Sequence, residues 1–191
     1  MKPPYSITPA IIELISSISE KLGAINATHL QQPKTALRRS NTIKTIQASL
    51  AIEGNTLSVE QITAMLDNKR VLAPKKDIIE VQNAIMVYEA LDKLKVNSIS
   101  SFLNAHKTLM QGLVSNPGEF RTSNVGIVKG SKLAHLAPSA NRVKALMNDL
   151  FAYIKLDKDP ILIKSCVFHY ELEFIHPFDD GNGRMGRLCK Q

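Results

Sequence analysis

Apolar residues recur along this chain at three- and four-residue spacings, and the stretches between them carry helix start and stop signals. Thr8-Pro9 opens the first helix, an N-cap followed by proline in the first turn. Ile11, Ile12, Ile15, Ile18 and Leu22 follow at helical spacing, and Gly23 is the expected end. A second helix is predicted from about residue 34 through Leu37, Ile43, Ile46 and Leu50 to Glu53, stopping at Gly54-Asn55. Ser58 and Gln61 have the spacing of a capping box, which opens a short helix through Ile62, Met65 and Leu66. Residues 69–74 lead into a long helix expected over 75–95, with Ile78, Val81, Ile85, Tyr88 and Leu91 or Leu94 inward. Ser98 or Ser100 caps another, carrying Phe102, Leu103, His106, Leu109, Met110 and Leu113.

Asn116-Pro117-Gly118 interrupts this periodicity. The β-favouring run 125–128, the turn residues Gly130-Ser131 and the run 133–136 predict a short β-hairpin. Pro138-Ser139 then starts a helix through Val143, Leu146, Met147, Leu150 and Ile154. Asp159-Pro160 starts another, expected to bury Leu162, Cys166, Phe168 or His169, Leu172 and Ile175 and to end at His176. The fold class predicted is all-α, a helical bundle with one small β-hairpin, with no internal repeat.

Composition narrows this little further. A chain of 191 residues, 44% hydrophobic and 21% charged, is long enough for one well-buried core. The net charge of +7 suits phosphate-bearing ligands, but the basic residues are scattered. Their small clusters, Lys34/Arg38/Arg39/Lys44 and Lys69/Arg70/Lys75/Lys76, lack interleaved aromatics and read as solvated helix faces. Nucleic acid is therefore not implied by this region. Cys166 and Cys189 have neither metal spacing nor a disulfide framework, so a reduced, cytoplasmic setting is expected. Pro3, Pro4 and Glu13 are wrong for a signal peptide, and no apolar run approaches membrane-spanning length, so no membrane partner is expected.

The chemistry concentrates in residues 176–187, His-Pro-Phe-Asp-Asp-Gly-Asn-Gly-Arg-Met-Gly-Arg. Glycines let a backbone turn tightly and aim its N–H groups at an anion. A helix beginning at about Gly183 adds its unpaired N–H groups to that cradle. Arg184 and Arg187 share a helix face and can grip neighbouring phosphates. Asp180 is an oxygen ligand suited to a phosphate-bound Mg²⁺, and His176 titrates where a base is useful near neutral pH. The plain alternative is a capped, solvated turn between two helices. His106 and His169 fall on apolar helix faces and read as core or supporting residues; His135 reads as a surface residue beside the hairpin, and His29 sits in a connector with no visible partner.

This run resembles the signature of the Fic (Fic/Doc) family, His-x-Phe-x-(Asp/Glu)-Gly-Asn-Gly-Arg-x-x-Arg, and fills all eight of its defined positions. The resemblance implies transfer of AMP from ATP to a Ser, Thr or Tyr hydroxyl of a target protein or of the chain itself. It makes His176 the base, Asp180 the Mg²⁺ ligand, Gly181-Asn182-Gly183 an anion hole, and Arg184 and Arg187 the β- and γ-phosphate partners. It makes Phe178 a structural anchor, residues 118–121 the turn before a flap, and the hairpin at 125–136 the flap on which a target docks in extended conformation.

Ser49 and Glu53 lie four apart on one helix face, with the carboxylate at the end of the helix that the dipole disfavours. That points to a cationic partner elsewhere. Ser49-Leu50-Ala51-Ile52-Glu53-Gly54 resembles the (Ser/Thr)-x-x-x-Glu-(Gly/Asn) inhibitory motif of self-inhibited Fic proteins, whose inhibitory helix is N-terminal. On that resemblance, Glu53 pairs with Arg187 and leaves ATP misaligned for attack.

The resemblance divides the chain into an N-terminal helical lobe, 1–74, carrying Ser49, Glu53 and Gly54, and a Fic core, 75–191. The core departs from the family by stopping four residues after Arg187, so a truncated core is expected. Two other readings stay open. One keeps the same site but gives it AMP removal or a different phosphate-containing donor; the other makes the chain a non-catalytic interaction module. A homodimer stays open as well.

Overall fold

Helix α4 (Lys75–Glu89) is the element around which its neighbours assemble, packing against both α2 (Thr35–Ile52) and α5 (Ile99–Met110). The computed structural model describes residues 3–28, 35–129 and 132–190. Among them the fold is all-α, with eight helices. To those three it adds α1 (Pro9–Thr28), α3 (Val59–Leu66), α6 (Ala140–Leu156), α7 (Ile161–Ile175) and α8 (Asn182–Leu188). Helix α6 packs on α7, α7 on α8, and α8 returns to α2. That last contact brings the end of α2 to the 176–187 run. Two short strands, β1 (Gly126–Lys129) and β2 (Lys132–Leu136), pair antiparallel with Gly126 opposite Leu136. Residues 130–131, His29 and the side chain of His135 lie outside the described residues.

Local chemistry accounts for several helix ends. Ser58 accepts from the Gln61 N–H while the Gln61 side chain accepts from the Ser58 N–H, the reciprocal cap that opens α3. Helix α2 stops because Gly54 takes φ +88°, letting Gly54 N–H reach Ala51 O and Asn55 N–H reach Leu50 O. Glu53 therefore stands one residue beyond the last turn rather than within it.

Other expectations need correction. Helix α1 runs past Gly23 to Thr28: a Cβ at Gly23 would meet nothing, and its φ is not positive, so it is not a left-handed cap. Ile12, Leu14, Ile18, Leu22 and Ile25 along it are exposed. Helix α4 ends at Glu89, six residues short of the predicted 95, where the chain tightens into a 3₁₀ turn, Leu91–Lys93. Its buried stripe is not the apolar one predicted. Asp77, Glu80, Val81, Asn83, Ala84 and Val87 are buried, while Ile78, Ile85 and Tyr88 are half-buried. The polar members are tolerated because each is hydrogen-bonded. Thr56 donates to Asp77 through its N–H and hydroxyl, at 2.9 and 2.6 Å, and Asn83 Nδ2 donates to the last carbonyls around α5, Leu109 O and Gln111 O. Helix α5 ends at Met110, so Leu113 follows it. In α7, Ile163, Phe168, Leu172 and Ile175 are buried, whereas Leu162 is half-buried and Cys166 exposed.

Five of the six phenylalanines gather beneath the end of α7. Phe102 contacts Phe151, Phe168 and Phe178 at ring separations of 5.5, 6.4 and 5.4 Å, and Phe120 meets Phe178 at 5.8 Å. This cluster is the floor on which the candidate site stands.

Candidate active site

Helix α7 delivers the chain to His176, which caps it in the left-handed region at φ 49°, ψ 62° and donates its N–H to Leu172 O. The chain then turns through residues 177–181 into α8. Asn182 holds that turn closed: its Oδ1 accepts from Phe178 N–H and its Nδ2 donates to Phe178 O, both at 2.9 Å. Phe178 is fully buried in the aromatic floor. Gly181, at φ +85°, faces Met110 so closely that a Cβ there would sit 2.7 Å from Sδ. Both the conformation and the space require glycine.

His106 supports the turn from below. Its ring lies 3.6 Å from that of Phe178 and only 3° from parallel. Nδ1 accepts from Gly118 N–H at 2.8 Å, which fixes the tautomer, so Nε2–H donates to Asp180 O at 3.0 Å. Burial pushes this imidazole below its ordinary value, keeping it neutral.

The two arginines of α8 meet different partners. Arg184, 5% exposed, donates from Nη1 to Glu80 Oε1 at 2.9 Å and from Nη2 to Asp180 Oδ1 at 3.0 Å. Glu80 is 2% exposed, and its second oxygen accepts from Asn55 Nδ2 at 2.9 Å. A buried network therefore runs from the end of α2, through α4, to α8. Arg187 turns to α2 itself. Its Nε donates to Ser49 Oγ, and its Nη2 donates to Ser49 O and to Glu53 Oε1, at 3.0, 3.0 and 2.5 Å. Gly183 sits beside this pair: a Cβ there would lie 2.9 Å from Glu53 Oε1 and 3.0 Å from Arg187 Nη1.

The residues singled out from sequence thus converge. His176, Asp180, the 181–183 turn, Arg184 and Arg187 lie along the run that ends α7 and opens α8, with Asn182 and Arg184 buried and Asp180 exposed, and Ser49 and Glu53 reach Arg187 from 134 or more residues away in sequence. Glu80 was not singled out, Asn55 was read only as part of a helix stop, and Arg121 only as part of the 118–121 turn. Glu80 occupies a buried position of α4 between Asp77 and Ala84, a spacing legible once carboxylates are allowed on an inward face. Asn55 follows the glycine that ends α2, a common place for a side chain that ties down a turn. Arg121, 3% exposed, donates to four main-chain carbonyls, two at the end of α7 and two flanking the strand pair.

Beside Asp180 lies a cleft of about 330 Å³, lined by His106, Val114, Ser115, Asn116, Asp179 and Asp180. No group of three or more metal-binding side chains occurs among the described residues. A single carboxylate suits a Mg²⁺ whose other oxygens come from phosphates and water. Asp180, with a side chain 55% exposed at the edge of the turn, fits that arrangement.

The domain is of known type. Residues 97–191 match the model of the Fic/DOC family, and the chain carries a Fic/DOC family domain. It is 28% identical to a protein adenylyltransferase Fic of Nematostella vectensis, over 93% of this chain and 43% of that protein. It is 32% identical to the protein adenylyltransferase fic-1 of Caenorhabditis elegans, over 84% of this chain and 33% of the other. The chain thus spans well under half the length of these curated relatives. In structure it resembles a Fic family protein from Desulfovibrio desulfuricans, with a TM-score of 0.90 and 49% identity over all of this chain and 58% of that one. No described helix is long and apolar enough to cross a membrane.

Proposed function

We propose that the chain is a protein adenylyltransferase that moves AMP from ATP to a Ser, Thr or Tyr hydroxyl, and that Glu53 holds it inactive. One observation carries the reading. The α8 arginine expected to hold the γ-phosphate, Arg187, is occupied by Ser49 and Glu53. A carboxylate there removes a cation from the phosphate and puts a like charge beside it. The names of the relatives support the same chemistry.

In the active state His176 accepts the hydroxyl proton as the oxygen attacks the α-phosphorus, and the bond to the bridging oxygen breaks to release pyrophosphate. The N–H groups of the Gly181-Asn182-Gly183 turn serve as the anion hole for the transferring phosphate once Gly181 N–H, which donates to Asp180 Oδ1 at 2.6 Å, is released, and Asn182 holds the turn rigid through Phe178. Arg184, aimed by Glu80, and Arg187, once free of Glu53, take the remaining phosphates. Asp180 would hold a Mg²⁺, which when bound would supply neutralisation of phosphate charge. The strand pair β1–β2 is the flap on which the target chain docks. Residues 1–74, as the lobe that carries Glu53, and residues 75–191, as the core, belong to the same proposal.

Product identification tests the reading. A Glu53→Gly protein given ATP and Mg²⁺ is expected to release pyrophosphate and to show an AMP increment on a hydroxyl residue by mass spectrometry. A different phosphate adduct, or AMP removal without addition, would overturn it.

A further inference from the structure

Arg121 has no place in the reaction just described, yet its side chain is buried and its donors are aimed with unusual consistency at main chain. Nε donates to His176 O at 2.7 Å and Nη2 to Ile175 O at 3.2 Å, two carbonyls left unpaired by the end of α7. The negative end of the helix dipole explains how a cation is accommodated there. The same guanidinium donates from Nη1 to Ser123 O at 2.7 Å and from Nη2 to Pro138 O at 2.5 Å. Its own N–H donates to Pro177 O at 2.9 Å.

Ser123 and Pro138 are the two feet of the β1–β2 excursion. The feet are also closed on each other by Ala137 N–H to Val125 O at 3.3 Å, and on α6 by Ala140 N–H to Asn124 Oδ1 at 2.9 Å. One planar fork therefore joins both feet of the strand pair to the backbone on either side of His176. His176 needs such a hold, because a residue with a Cβ is disfavoured at its φ of 49°. Lysine has no equivalent: its donors radiate from one nitrogen and cannot span carbonyls on three segments.

We propose that Arg121 is a positioning residue that sets the distance between the β1–β2 strand pair and His176, and so between a docked hydroxyl and its base. The inference rests on the functional reading above for its consequence, and on the hydrogen bonds alone for the mechanical link.

The test compares Glu53→Gly with Glu53→Gly/Arg121→Lys. The rate of transfer to a peptide acceptor at saturation should fall about 100-fold, the scale of a misplacement near 1 Å. The Kd for a non-hydrolysable ATP analogue should stay within about twofold, because Arg184 and Arg187 are held by other elements. Equal rates, or an equal loss of rate and nucleotide affinity, would overturn the proposal. Hydrogen exchange supplies a readout independent of activity. In Arg121→Lys the His176 and Ala137 amides should exchange faster together while the Met185 amide, bonded to Gly181 O, does not change. If the variant does not fold, the wild-type protein still decides: the His176 and Ala137 amides should share one opening free energy, and unequal values would refute the link. A silent Glu53→Gly parent would sink the adenylyltransferase reading and leave the exchange experiment to judge Arg121.

Discussion

Glu53 Oε1 lies 2.5 Å from Arg187 Nη2, between side chains that are 29% and 24% exposed. A pair so open to water contributes at most about 1 kcal/mol to folding. Its effect on a bound γ-phosphate is of another order, since it occupies the cation that the phosphate needs. Glu53→Gly should therefore leave thermal stability within a few degrees of wild type, as read by circular dichroism, while transfer rises more than about tenfold. Ser49→Ala should activate less, because Ser49 O and Glu53 still hold Nη2.

The Arg184–Glu80 pair behaves differently because it is buried on both sides, at 5% and 2% exposure. Removing one partner strands a charge in the core. Glu80→Ala should lower unfolding stability by about 3–5 kcal/mol in urea titration. Glu80→Gln keeps the volume and one acceptor, so it should cost less while still weakening binding of an ATP analogue, because Arg184 loses the charge that aims it. Unchanged nucleotide affinity in Glu80→Gln would show that Asp180 alone orients Arg184.

His106 should make stability fall on mild acidification. Its Nδ1 accepts a hydrogen bond, so the folded protein keeps the ring neutral, and burial lowers its folded pKa below the ordinary 6.5. The unfolded chain takes up a proton near 6.5, and so binds more protons than the folded one just below that pH. The stabilisation is complete above about pH 6.5 and is lost as pH falls from there through the folded pKa. His106→Phe retains the stack on Phe178, so urea titrations at about pH 7.5 and about pH 5.5 should differ less for it than for wild type. Its stability at the higher pH should be about 1–3 kcal/mol lower, because Gly118 N–H loses its acceptor.

Gly181→Ala should cost about 1–3 kcal/mol, combining a left-handed φ with a Cβ 2.7 Å from Met110 Sδ. A double-mutant cycle with Met110→Ala, whose own cavity cost is measured in the otherwise wild-type protein, isolates the steric part as the coupling energy between the two positions, read by thermal melting. Zero coupling would assign the whole cost to the backbone.

How much of this was legible depends on how local each feature is. The signature loop and the α2 turn were readable because their residues are contiguous, and because Gly54 and Gly181 occupy positions where φ must be positive. Helix starts at Thr8-Pro9, Ser58 and Ser98 were readable for the same reason, since a cap and its partner lie within four residues. The inward face of α4 was not. Apolar periodicity favours Ile78 and Ile85, whereas tertiary packing buries Asp77, Glu80 and Asn83, whose partners lie 21 to 104 residues away. Arg121 was invisible as a device because all its acceptors are main-chain carbonyls, which carry no sequence signal.

The most direct test of the account is labelling with α-labelled ATP and Mg²⁺ in three proteins: wild type, Glu53→Gly, and Glu53→Gly/His176→Ala. The account predicts protein-bound label in Glu53→Gly alone, with wild type near background and the double variant silent despite binding nucleotide. Label of equal strength in wild type and Glu53→Gly, or label surviving His176→Ala, would contradict it.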